Sequence, residues 1–287
     1  MTPLPWQDGS WFEDAAAWID QRMARTGELE LLCTRPWSAL IRVPTAEGDM
    51  WFKEAAPVNA FEPALTALLA ARRPDWVPAV VAAEGARMLT ADAGRSVRAL
   101  LEEKRPVPAW EAIVALYAEL QIDFAGAIDE FLALGVPDSR PATLGHPVSG
   151  SLPLTLIHEE VQDGNVHVQD GRPIFIDWAE ASVSHPFAGM TNTLRIVGWR
   201  SEWEPGGPET LRLRDAYLEP WTRFAPIREL RGIFTEGYAL GALARAATWE
   251  RTLAPLSPEA QEDYPHNVEA WREIYAEAIG LDAKLGA

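Results

Sequence analysis

Only one cysteine, Cys33, occurs in the 287 residues, so no internal disulfide can form. A reducing compartment, the cytoplasm, is therefore expected, with Cys33 as a small buried apolar residue. Lysine is nearly as scarce, standing only at 53, 104 and 284 while arginine supplies the other positive charges. Lys and Arg total 25 against 42 Asp and Glu, for a net charge of −17. That deficit argues against nucleic acid as a partner, because phosphate contacts need clustered cations. No stretch approaches the roughly 18 consecutive apolar residues of a membrane span. The opening residues, MTPLPWQDGSWFEDAAAW, lack both the basic and the apolar segment of a secretory signal. No Cys/His cluster suggests zinc. The expectation is a soluble protein with neither membrane nor nucleic-acid partner, long enough for two lobes around a cleft.

What is present begins with apolar spacing. Trp11, Ala15, Trp18, Ile19 and Met23 predict a helix ending near Gly27. Strands are expected at 29–33, 39–43 and 50–53, then a helix over 62–72 with Leu65, Leu68 and Leu69 on one face. Two more strands, 77–83 and 87–90, flank the Glu84-Gly85 turn. After Asp92-Ala93-Gly94 the pattern turns helical, with one long buried helix expected over 108–134. The clear hairpin of the second half is 165–168 with 173–176, closed by an Asp170-Gly171 turn. The fold class is therefore α+β and bilobal. An N-terminal antiparallel five-strand lobe, residues 1–92, precedes a larger helical C-terminal lobe, residues 93–287, with the hinge near 90–95.

The chemistry concentrates where an apolar run, Thr155-Leu156-Ile157, delivers the polar loop His158-Glu159-Glu160-Val161-Gln162-Asp163-Gly164-Asn165. The hairpin that follows delivers a second acid, Asp177. Kinase catalytic loops run H-x-D-x-x-x-x-N, and a metal-binding Asp follows across a hairpin. Glu160 and Asn165 keep that spacing, with Asp177 twelve residues after Asn165. Phosphoryl transfer also needs a cation on the nucleotide phosphates. Lys53 is the candidate: in a chain that habitually uses Arg, it follows Trp51 and Phe52 in an apolar strand, and a compact ammonium suits phosphate. Glu62 is a better partner for it than Glu54, because neighbouring strand residues point to opposite faces. No glycine-rich loop lies between the first two strands; Thr34 to Ser38 stands there, and Ser38 is a candidate phosphate donor. The acid excess concentrates in residues 101–190, a field that favours metal cations and cationic acceptors. Acids Glu202, Glu204, Asp215, Glu219 and Glu236, with aromatics Trp199, Trp203, Tyr217 and Trp221, are candidates for an acceptor pocket.

The loop resembles the HGDLHDGN form of the aminoglycoside phosphotransferase and choline-kinase-like family, and FIDWAEASVSHP resembles its IDWEDAGVGDP. The segments RPWSALIRV, WFKEA, FEPALTALLA and MLTADAGR are similar to its N-terminal lobe, so the likeness runs from about Trp11 to Trp249. The resemblance implies a protein-kinase-like fold and an enzyme using ATP or GTP with Mg2+ to phosphorylate a hydroxyl of a small, cationic, aminoglycoside-like acceptor. It implies that Lys53 holds the α/β-phosphates, that Glu62 pairs with Lys53, that Asn165 and Asp177 ligate metal, and that His158 supports the loop. Two positions depart from the pattern: Glu160 occupies the catalytic Asp place, and Glu159 stands where Gly is common. A Glu reaches roughly 1–1.5 Å farther, and misplacement on that scale can cost about a hundredfold in rate. Glu160 thus leaves a second reading open, a catalytically weak or inactive nucleotide-binding pseudokinase.

Overall fold

A computed structural model describes residues 4–280. In chain order the elements are α1 (Trp11–Asp20), β1 (Glu30–Thr34), β2 (Ser38–Thr45), β3 (Gly48–Ala55), α2 (Glu62–Arg72), β4 (Val80–Glu84) and β5 (Arg87–Ala91). Then come β6 (Arg95–Ser96), α3 (Val97–Glu102), α4 (Trp110–Phe124), α5 (Ile128–Ala133), α6 (Pro141–Leu144) and β7 (Thr155–Ile157). The chain continues through β8 (Val166–Gln169), β9 (Arg172–Phe175), β10 (Ser182–Ser184), α7 (Met190–Arg200) and α8 (Pro208–Leu218). It closes with α9 (Ile227–Leu253), α10 (Pro258–Gln261) and α11 (Asn267–Gly280). These form two compact units, each discontinuous in sequence. Of the described residues, the first takes in those up to Arg95, His167–Ala179 and Arg251–Pro265; the second takes in Ser96–Val166, Glu180–Glu250 and those from His266 to Gly280.

The first unit holds the five-stranded antiparallel sheet in the order β1-β2-β3-β5-β4. Its core comes from strand alternation: Ala39, Ile41 and Val43 of β2, Phe52 of β3 and Leu89 of β5 cluster with Trp11, Ala15, Trp18 and Ile19 of α1. The helix stops at Asp20 rather than near Gly27, and the Arg22 guanidinium bonds the Trp18 carbonyl that its last turn would otherwise leave open. On the edge strand β1, Cys33 is half-buried rather than buried. Lys53 lies in register between Leu40 of β2 and Met88 of β5. By alternation it faces away from the α1 core. The hairpin β8–β9 turns at Asp170 (φ 51°) and Gly171 (φ 78°), both left-handed as a tight primed turn requires. Its Phe175 N–H bonds the Trp76 carbonyl.

Gly94 in this unit has φ 84°, and a Cβ there would lie 2.2 Å from the Val168 carbonyl oxygen. Neither strand nor turn backbone can retreat cheaply, so Gly94→Ala is expected to cost about 3 kcal/mol. A urea melt checks this; a loss under about 1 kcal/mol would mean that the backbone adjusts.

The second unit is mainly helical. The apolar stripe expected over 108–134 is split: α4 ends at Phe124, and Gly126 at φ 91° turns the chain before α5. Ile113, Tyr117, Leu120 and Phe124 of α4 are buried, as are Phe187, Tyr217, Trp221 and Phe234, which stack in edge and tilted pairs. A short antiparallel pair, β7 with β10, was not expected from the sequence; all six of its residues are buried. Three-residue strands are too short to show an alternation.

Candidate active site

In the first unit Lys53 Nζ lies 2.7 Å from Glu62 Oε1 and 2.7 Å from Asp177 Oδ1. Glu62 opens α2 and is completely buried; Asp177 follows β9 and is 37% exposed, in a left-handed conformation at φ 65°. Burial opposes the charge on Lys53, but Asp177 and Glu62 outweigh it and hold its pKa above the ordinary value. Burial raises the Glu62 carboxyl, and the single ammonium beside it does not fully offset that cost. Glu54 points to the other face, where it accepts from the Trp11 indole and Arg87 at 2.8 Å each. Ser38 is buried at the start of β2, opposite Ala55.

In the second unit β7 delivers the loop of residues 158–165. His158 is fully buried; its backbone N–H donates to the Tyr117 hydroxyl at 2.9 Å, and its ring Nδ1 accepts the Glu160 backbone N–H at 3.3 Å. Glu159 adopts φ 65°, the conformation that favours glycine at that place. Its buried carboxylate accepts from Ser182 Oγ at 2.6 Å and Thr248 Oγ1 at 2.9 Å, and its carbonyl from Asn192 at 3.1 Å. These bonds offset the backbone strain, and nothing in the residue's neighbourhood in sequence signals them.

Glu160, the candidate catalytic side chain, reaches Arg245 Nη2 at 2.5 Å. Asn165 Nδ2 donates to the Glu160 carbonyl at 3.2 Å and to its Oε2 at 3.4 Å. Asp163, also in the loop and buried, pairs with Arg98 of α3 at 2.9 Å and Arg200 of α7 at 3.2 Å. Sequence reasoning missed Arg245, Tyr117 and Thr248, all of which come from helices outside the motif.

The same unit contains a cavity of about 1230 Å³ whose walls include Asp163, Trp199, Glu202, Trp203, Glu204 and Trp271. Of the acceptor candidates, Trp199, Trp203, Glu202 and Glu204 therefore share one cavity. Tyr217 and Trp221 do not; they are fully buried in the aromatic core. Asp215 is ion-paired with Arg214 and Arg231, Glu236 accepts the Ser149 N–H, and Glu219 begins the turn after α8. Among the described residues no helix is long and apolar enough to cross a membrane, and no group of three or more His, Cys, Asp or Glu is arranged to hold a metal.

A five-stranded antiparallel sheet carrying a Lys–Glu pair, with a helical unit bearing the 158–165 loop, defines a protein-kinase-like fold. The chain belongs to the phosphotransferase enzyme family (APH), whose sequence profile matches residues 64–230. It is similar in structure to a Plasmodium vivax ethanolamine kinase, with a TM-score of 0.63 and 11% identity over 95% of this chain and 91% of that one. A choline/ethanolamine kinase family protein from Mesorhizobium loti is similar at a TM-score of 0.56 and 18% identity, over 95% and 94% of the two chains. A GDP complex of an aminoglycoside 2'-phosphotransferase is similar at 0.58 and 11%, over 98% and 100%. No curated protein sequence matches the chain at a significant level.

Proposed function

We propose that this chain moves the γ-phosphate of ATP or GTP, with Mg2+, to a hydroxyl of a small molecule. The observation that carries the proposal is Lys53, a rare lysine held at 2.7 Å by both Glu62 and Asp177. An ammonium fixed in this way suits nucleotide phosphates, and its two carboxylates set where it points. Residues 1–92 then serve as the nucleotide-binding lobe, where Ser38 is the further candidate phosphate donor, and residues 93–287 carry the catalytic loop and the acceptor pocket.

Asn165 and Asp177 are proposed to hold the metal through an amide and a carboxylate oxygen. Such a sparse, hard donor set fits Mg2+, which keeps waters and takes substrate phosphates as further ligands, better than it fits a metal needing an all-protein cage. Bound there, Mg2+ would neutralise charge on the phosphates. Glu160 is proposed to orient the acceptor hydroxyl, and His158 to brace the loop through its buried ring. The cavity walled by Trp199, Trp203, Glu202 and Glu204 is also lined by Arg98, Arg195 and Arg200, and this mix of aromatic faces and charges of both signs suits a hydroxylated, sugar-like acceptor. The alternative, a weak or inactive nucleotide-binding protein, rests on the identity of Glu160 alone.

A coupled assay with ATP and GTP against aminoglycosides, choline, ethanolamine and simple sugars tests the reading. Nucleotide turnover that rises with one acceptor class is expected. Absence of nucleotide binding at millimolar ATP with Mg2+ would overturn it.

A further inference from the structure

Arg245 lies on α9, 85 residues from Glu160 in sequence, and nothing around it marks a motif. Its side chain is only 5% exposed. One terminal nitrogen, Nη2, meets Glu160 Oε1 at 2.5 Å, and the other, Nη1, meets Glu180 Oε2. Among the described residues its Nε has no hydrogen-bond partner, so two carboxylates hold the guanidinium, with the Trp249 ring 5.6 Å from its centre. Burial works against the charge, yet Glu180, Glu160 and Glu159 outweigh it and keep the guanidinium's pKa above its ordinary value. The planar fork meets each carboxylate with a different nitrogen, whereas a lysine would have to reach both from a single point.

The remaining oxygen of Glu160 is gripped too, by the Asn165 amide. The carboxylate therefore has one oxygen on α9 and the other on its own loop. Length decides what can make this bridge. An aspartate is shorter by roughly 1–1.5 Å, which would open the contact with Arg245 beyond the range of a hydrogen bond.

We infer that Arg245 is the positioning residue for Glu160, and that it is the element which suits a glutamate, rather than an aspartate, to this place in the loop. The inference rests on the phosphotransferase reading, in which Glu160 orients the acceptor hydroxyl. The glutamate is then matched to its partner on α9, and its extra length is used up in reaching that partner.

The test uses the full chain with MgATP, following hydrolysis with water as acceptor, for the wild type, Arg245→Gln, Arg245→Lys, Glu160→Asp and the Arg245→Gln/Glu160→Asp pair. Arg245→Gln and Glu160→Asp are each expected to lower kcat about a hundredfold, with KM for ATP within about twofold, because Lys53 is untouched. Arg245→Lys should recover part of the loss. The paired variant should fall little below either single one, since both break the same contact. Arg245→Gln within about threefold of wild type, or Glu160→Asp as fast as wild type, overturns the inference. If Arg245→Gln does not fold, Glu160→Asp decides alone by the same criterion. If the wild type shows no turnover, the phosphotransferase reading is what fails, and amide exchange across residues 158–165 decides the positioning: exchange unchanged in Arg245→Lys and Glu160→Asp overturns it.

Discussion

Lys53→Met should abolish most phosphoryl transfer and destabilise the fold at the same time. The two losses have different causes. For transfer, the variant removes the cation proposed for the nucleotide phosphates, and loss of one charge-stabilising donor typically lowers kcat by about 10²–10³-fold. For stability, it leaves Glu62 fully buried with no counter-charge, and breaking a buried pair from one side costs about 3–5 kcal/mol. The double variant Lys53→Met/Glu62→Met separates them. With the buried pair gone and only the 37% exposed Asp177 left charged, most of the stability should return while transfer does not. Lys53→Arg should not rescue transfer, because the planar fork cannot take the place of a compact ammonium facing Glu62 and Asp177 together. Urea melts and the coupled assay are the two measurements. Lys53→Met turning over ATP within about threefold of wild type would remove Lys53 from the phosphate site.

The parts of this arrangement differ in how well the sequence displayed them, and the differences are physical. Lys53 stood out by scarcity, and period-two alternation chose Glu62 over Glu54 as its partner; Glu54 indeed lies on the α1 side, bonded to Trp11. The hairpin turn was equally readable, because Asp170-Gly171 favours the left-handed backbone it adopts. Local chemistry encodes all of these. The misses depend on distant chain. The stripe of α4 continues through Ile128 and Phe131 as if one helix ran on, so only the left-handed Gly126 reveals the break. Glu159 looked like an acid in a glycine's place, while its partners Ser182 and Thr248 arrive from β10 and α9. Arg245 carries no motif, because its role is set by two carboxylates that the fold brings to it. For the same reason the sequence could not show that the first compact unit draws on residues 167–179 and 251–265.

Asp177→Asn attacks the Lys53–Asp177 ion pair from its other end and should lose transfer while keeping the fold. Asparagine tolerates the left-handed backbone that Asp177 adopts, so φ 65° adds little strain. Asp177 is 37% exposed, and Lys53 retains Glu62 when the charge is removed. The stability change should therefore stay within about 1 kcal/mol. Transfer is another matter if Asp177 holds Mg2+. An amide oxygen carries no charge to set against a divalent cation, so turnover should fall about 10²–10³-fold. Raising the magnesium concentration should recover part of it, as it would not for Lys53→Met. An Asp177→Asn enzyme that keeps more than about a third of wild-type turnover at low magnesium would reject the metal assignment. Both variants cut the same 2.7 Å contact. Any magnesium dependence found in one and not the other therefore belongs to the carboxylate itself and not to the ion pair.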